Sequence, residues 1–264
     1  MQVRKAYIDV AAGQMHYCAA AGAGVPIVFF HQTASSYKMW LKVLDQLDLG
    51  LPMYAFDTPG FGGSFDPDGA TSMPMYADWM AEAMTALGID RAHVVGHHTG
   101  AAIGAELAAR RPDLVASVTL IGPLPLTEAE REQSAKQYGP AFLPEPTGRY
   151  LLDNWTYMSF GEEVDDPLVL HREMADMLRA YLSRPFAYQA VWGQDFTAAY
   201  RAIACPLQIM CAPDDVLYPF FQRAAEIRPD AVAHELGGGG NFEPDLRAGE
   251  VADRIAVFIR GVAA

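Results

Sequence analysis

The chain has 264 residues, 51% hydrophobic and 19% charged, enough apolar content for a buried core in one large domain or two small ones. Its 19 basic side chains stand against 32 acidic ones, a formal net charge of −13 that argues against a nucleic-acid partner or an anionic membrane surface. No apolar run reaches the roughly 18–20 residues of a membrane span; the residues from Met1 lack the apolar stretch of a secretory signal, and three scattered cysteines (Cys18, Cys205, Cys211) fit a reducing, cytoplasmic setting better than a disulfide framework.

Apolar runs alternate with helical patterns along most of the chain, which predicts an α/β protein. Residues 6–10 and 15–20 flank Gly13 as an antiparallel hairpin, and 26–30 (Pro-Ile-Val-Phe-Phe) reads as a short buried strand. After an amphipathic stretch over 37–47 come a strand at 53–56 and a helix over 74–87 that stops at Gly88. Residues 93–96 form the next strand, 101–111 a helix rich in small residues, and 115–121 a further strand. From 123 to 204 the alternation breaks: the pattern is helical, with many aromatics and prolines and no convincing strand, as for an insertion over one edge of a sheet. A strand at 207–211 and a closing helix over 248–262, with Val251, Ile255, Phe258 and Ile259 on one face, complete the chain.

The segment that carries chemistry is His93-Val-Val-Gly-His-His-Thr-Gly-Ala-Ala102. A strand runs through Gly96-His97-His98-Thr99-Gly100 directly into a helix. Two glycines around one central residue let that residue occupy a strained turn and lift its side chain clear of the sheet. Histidine tolerates positive φ better than most non-glycine residues, and the helix behind it aims free N–H groups at whatever lies above.

On these residues, and on five further segments in matching order, the chain resembles the cap-bearing branch of the α/β-hydrolase superfamily. Phe29-Phe-His-Gln-Thr33 is similar to that family's oxyanion loop, Asp57-Thr-Pro-Gly-Phe-Gly-Gly-Ser64 to its D-x-P-G-x-G-x-S segment, and Gly96–Gly100 to its nucleophile elbow. Residues 123–204 match its cap in position, Pro213-Asp-Asp215 the site of its catalytic acid, and Gly239-Gly-Asn-Phe242 the loop of its catalytic histidine. The resemblance implies a mainly parallel, doubly wound sheet with a helical cap: a core of 1–122 and 205–264, and a cap of 123–204.

Two departures from the family pattern shape the functional expectation. The elbow holds His98 in place of Ser, Asp or Cys, and the late loop holds Asn241 in place of the general base. The resemblance implies Asp215 as the acid, the register against Tyr218-Pro219 favouring it over Asp214, and an oxyanion hole from the N–H groups of Thr33 and Thr99. An imidazole with its ordinary pKa of about 6.5 suits either a nucleophile or a general base. The leading expectation is hydrolysis of a small hydrophobic or aromatic ester, lactone or related carbonyl compound, centred on His98 with Asp215 and Asn241 nearby. A cofactor-independent lyase, decarboxylase, cyclase or isomerase stays open, and so does a catalytically silent binding protein.

His31 and Gln32 beside the oxyanion loop, and Trp155 and Trp192 among the cap aromatics, are the expected substrate contacts, although His31 reads as readily as a brace for its loop. His97, before the elbow residue, is expected to pack or hydrogen-bond. The glycine runs fit neither G-x-G-x-x-G nor the P-loop pattern, so no cofactor is expected. A His31/His97/His98 metal site is not expected either, because no well-placed carboxylate accompanies it in sequence. The expected partner is a small molecule, with homodimerisation through the cap or sheet edge anticipated on general grounds.

Overall fold

A computed structural model of the chain describes residues 2–138, 141–159 and 166–262. Eight strands form one sheet: β1 (Arg4–Val10), β2 (Gly13–Ala20), β3 (Ile27–Phe30), β4 (Met53–Phe56), β5 (Ala92–His97), β6 (Val115–Ile121), β7 (Leu207–Cys211) and β8 (Val232–Glu235). They lie in the order β1-β2-β4-β3-β5-β6-β7-β8. The β1–β2 and β2–β4 pairs are antiparallel and every later pair is parallel.

Burial follows from those positions. All four residues of β3 and all six of β5 are buried, since central parallel strands are covered on both faces. The edge strand β1 exposes alternate residues. One apolar cluster fills the face under α2 (Met73–Ala86) and α3 (Thr99–Arg110); a second lies under α1 (Leu41–Gln46) and α11 (Ala248–Val262). The sheet is therefore doubly wound. Local signals set the helix ends: the Ser72 hydroxyl caps α2 by accepting from Met75 N–H at 3.4 Å. At its other end, Gly88 and Ile89 N–H groups donate to the Thr85 and Met84 carbonyls.

Between β6 and β7 run α4 (Glu128–Tyr138), α5 (Arg149–Ser159), α6 (Pro167–Arg179), α7 (Ser183–Gly193) and α8 (Phe196–Ala202), with no strand among the described residues of that stretch. Helix α6 ties this segment to the sheet loops. Ser35 and Ser36 hydroxyls donate to Glu173 and Asp176 at 2.7 and 2.6 Å, and Lys38 Nζ donates to Asp176 at 2.7 Å.

Two elements escape the sequence pattern, β8 and α9 (Tyr218–Ile227). β8 sits at the sheet edge with three of its four residues exposed, so no buried alternation marks it. A short α10 (Glu243–Leu246) precedes α11. Among the described residues, no helix is long and apolar enough to cross a membrane.

Candidate active site

His98 stands at the junction of β5 and α3 with φ 50° and ψ −107°, the one non-glycine residue of positive φ among those described. Backbone strain of this kind persists only where the surroundings over-determine it. They do so here: a Cβ on Gly96 would stand 2.1 Å from the Gly100 carbonyl oxygen, and one on Gly100 would stand 2.1 Å from the Phe30 oxygen. The turn is thus wedged between its own helix and β3, and the imidazole projects beyond the strand ends.

The ring is seated by Asp215, in the loop after β7. Oδ2 of Asp215 accepts from His98 Nε2 at 2.6 Å, and its Oδ1 accepts from Leu217 N–H at 2.6 Å. The ring proton thus sits on Nε2, leaving Nδ1 a lone pair with no hydrogen-bond partner among the described residues. Gly122, directly after β6, makes room: with φ +65°, its added Cβ would fall 2.4 Å from His98 Cδ2 and 2.8 Å from Nε2. Sequence reasoning passed over this glycine; its only signal is a strand ending in Gly-Pro.

His97 points the other way. It is fully buried, stacks on His98 with ring centroids 4.2 Å apart, and meets Glu243 Oε2 through Nε2 at 2.9 Å. Burial, then the neighbouring His98, holds its pKa well below the usual imidazole value. Glu243 is equally buried, and its carboxyl is pushed well above the usual carboxylate range by burial and then by the charge of Asp215, a carboxylate oxygen of which lies within 4.8 Å. Glu243 went unnoticed in the sequence because it follows the Gly-Asn-Phe loop with no motif of its own.

The metal-ligand atoms of His97, His98, Asp215 and Glu243 lie within 4.8 Å of one another. However, the two imidazole planes are stacked and only 29° apart. An ion lying in the plane of one ring, at a bond length of about 2 Å, would stand well off the plane of the other. As arranged, the four groups fit a hydrogen-bonded chain better than a metal site.

A cavity of about 120 Å³ opens at His98. It brings together Gln32, Thr33, His98, Thr99, Asn241 and Trp192 from the sequence-predicted set, with Tyr138, Tyr157 and Tyr188 and the carboxyl-bearing Glu173. Glu173 is raised by burial against the opposing pull of Arg172. Asp215 lies behind the imidazole, while Asp214 turns aside to accept from Gly239 N–H at 3.2 Å. Asn241 Oδ1 accepts from Val216 N–H at 3.2 Å, so this side chain also braces the loop carrying the acid.

His31 and Trp155 are not among the cavity's lining residues. His31 is buried with both ring nitrogens engaged: Nδ1 donates to the Gln32 carbonyl at 2.7 Å, and Nε2 accepts from Thr58 N–H at 3.0 Å. Burial lowers its pKa, so the neutral ring staples the 31–33 loop to the loop after β4. Trp155 lies on α5 with 38% of its surface exposed.

Comparison with known proteins agrees with this architecture. Residues 25–156 match the profile described as the alpha/beta hydrolase fold. The crystal structure of E-2-(acetamidomethylene)succinate hydrolase superposes with a TM-score of 0.80 at 20% identity, covering 98% of this chain and 100% of that one. A bifunctional esterase/perhydrolase of Acinetobacter calcoaceticus is 26% identical over 257 residues, 89% of this chain and 92% of that protein. The dihydrolipoyllysine-residue acetyltransferase component of the acetoin cleaving system of Cupriavidus necator is 32% identical over 123 residues, 47% of this chain but only 33% of its relative. With its doubly wound sheet and the sharp turn at His98, the chain belongs to the α/β-hydrolase fold family.

Proposed function

We propose that the protein is a hydrolase of small apolar or aromatic esters, lactones or related carbonyl compounds, with His98 as its general base. The observation that carries this reading is the orientation of one ring: Nε2 is committed to Asp215, and Nδ1, on a residue lining the cavity, has no partner among the described residues. A general base needs a lone pair within reach of the proton it removes, and this nitrogen supplies one.

In the reaction, Nδ1 takes a proton from water, and the resulting hydroxide adds to the substrate carbonyl carbon. The carbonyl π pair moves to oxygen, where the N–H groups of Thr33 and of Thr99, at the start of α3, would receive it. Collapse of this intermediate breaks the bond to the leaving oxygen, which takes the proton back from Nδ1. Acid and alcohol leave, and His98 is again neutral. Asp215 stabilises the transient imidazolium through Nε2–H. Asn241 holds the Asp215 loop by Val216 and lines the cavity beside it.

Substrate class follows from the lining. Tyr138, Tyr157, Tyr188 and Trp192, with Leu124, Met158 and Met177, present an aromatic and aliphatic wall with few polar groups. All seven come from 123–204, which we assign as a helical cap over the core of 1–122 and 205–264. The alpha/beta hydrolase match and the relative named as an esterase/perhydrolase support the reaction class.

The test is turnover of 4-nitrophenyl esters and simple lactones by wild type and His98→Ala, both checked for folding by circular dichroism. We expect kcat/KM to fall by about 10²–10⁴-fold in the variant, the contribution of a positioned base. Equal rates in the two proteins would remove His98 from the mechanism. A mass increase on His98 equal to the acyl group, trapped during turnover, would make the imidazole the nucleophile instead.

A further inference from the structure

Behind the working imidazole lies a run of ionisable groups that general-base chemistry alone does not require. Asp215 is bound by His98 on one oxygen, yet it also faces the Glu243 carboxyl, and Glu243 is bound in turn to His97. Both His97 and Glu243 side chains are fully buried, whereas 13% of the His98 side chain remains exposed. Placing a second carboxyl against the acid of a catalytic pair is costly unless one of the two keeps its proton.

One assignment of protons meets these hydrogen bonds. Nε2–H of His97 donates to Glu243 Oε2, so its Nδ1 carries a lone pair; that Nδ1 is a buried atom without a partner, as an acceptor in apolar surroundings would be. Glu243 Oε1 also receives the Ala212 N–H at 3.3 Å. The acid proton of Glu243 is then free to go to Asp215, which has a carboxylate oxygen within 4.8 Å of it. Asp215 keeps the negative charge, shared among Leu217 N–H, His98 Nε2–H and the Glu243 acid.

We propose that Glu243 is a positioning residue that shares its proton with Asp215 and thereby sets the basicity of His98 from the side away from the cavity. This rests on the reading of His98 as the base. A donor to Asp215 draws charge away from the His98 contact, so it disfavours the imidazolium relative to an Asp215 without that donor. Other charged or titratable groups around the pair are few. Cys211 on β7 and Asp214 lie near the carboxyls, Glu173 of α6 faces His98 across the cavity, and Arg172 is neutralised by Asp245 and Glu173. Arg247 and Asp214 meet around Gly238.

The experiment is side-chain ¹⁵N NMR of the histidines in the intact protein, titrated from pH 4.5 to 9, with His98 assigned by the signal lost in His98→Asn. Wild type is compared with Glu243→Gln, which keeps a neutral donor to Asp215 and an acceptor for His97, and with Glu243→Leu, which keeps neither. We expect the His98 midpoint to stay in place in Glu243→Gln and to rise by about one unit, tenfold in proton affinity, in Glu243→Leu. The acidic limb of the pH–activity profile should move with it. A fall of the midpoint in Glu243→Gln would show that Glu243 is ionised and overturn the proposal; no change in Glu243→Leu would overturn it as well. Because the NMR reads His98 without substrate, an absence of ester turnover would defeat the hydrolase reading while leaving this result standing.

Discussion

Besides His97–Glu243, two histidine–carboxylate pairs of nearly equal length sit in different parts of this sheet. His16 on β2 meets Asp57, directly after β4, at 2.8 Å, and His98 meets Asp215 at 2.6 Å. Asp57 is further solvated by backbone, accepting from Tyr37 N–H at 2.7 Å and Gly63 N–H at 2.8 Å. Burial alone would raise its pKa, but His16, the nearby His31 and those N–H groups outweigh burial and lower it. The His16 ring lies between Tyr7 and Tyr37, 5.0 and 5.1 Å away. Asp215 instead shares its surroundings with a second carboxyl, and its histidine stands in a strained turn with a nitrogen left over. The pair at Asp57 is clamped among backbone N–H groups, whereas the pair at Asp215 adjoins a cavity and a strained turn, the setting in which we propose it reacts.

The sharpest way to break this comparison is to delete one member of each pair. His98→Ala is expected to cost about 10²–10⁴-fold in kcat/KM with little change in the urea midpoint, because the ring already reaches a cavity. Asp57→Ala is expected to do the reverse in stability, losing about 3–5 kcal/mol by stranding His16, the buried Tyr37 N–H and the Gly63 N–H. Urea unfolding of both variants decides it: an Asp57→Ala protein as stable as wild type would end the assignment of that pair as a clamp.

Much of this contrast was readable in the sequence. The succession of strands and helices and the sharp turn at Gly96–Gly100 follow from apolar runs and spacing, which encode local structure, whereas Asp215 was named only through the resemblance to the family's acid site. The partners of His97 and His16 do not. Glu243 lies 146 residues from His97 and Asp57 lies 41 from His16, and only the folded sheet brings them together. His31 looked like a substrate contact because it adjoins the oxyanion loop, yet its two nitrogens are spent on Gln32 and Thr58. Trp155 shared the aromatic composition of its segment, but composition cannot tell the faces of α5 apart.

Gly122 offers a finer perturbation of the His98–Asp215 pair alone. Its substitution by Ala would place a methyl within 2.4 Å of the His98 ring, at a backbone φ of +65° that disfavours any side chain. The ring must rotate or its turn must shift, and a misplacement near 1 Å costs on the order of 10²-fold in rate. The expected outcome is therefore a fall in kcat of about 10–100-fold with KM little changed. Wild-type kinetics in Gly122→Ala would mean that the imidazole has slack its surroundings do not suggest.

The smallest effect separates the two carboxyls by the sign of their pH dependence. The lowered pKa of Asp57 gives stability that is present above its unfolded value of about 3.8 and lost as pH falls through the folded value. Glu243, with its pKa raised by burial, runs the other way. Below about 4.5 the carboxyl is protonated in both states and costs nothing; as pH rises from there towards the folded value, only the unfolded chain releases the proton. Each unit of pH in that window then removes about 1.4 kcal/mol. Glu243→Gln abolishes this slope without removing the hydrogen bonds. Urea unfolding at pH 5 and pH 7 should therefore show the variant gaining on wild type as pH rises, whereas Asp57→Asn loses to wild type above about pH 4 and converges with it on acidification. A constant gap between Glu243→Gln and wild type over that range would mean that Glu243 is ionised in the folded protein, and the two carboxyls would then differ in place but not in kind.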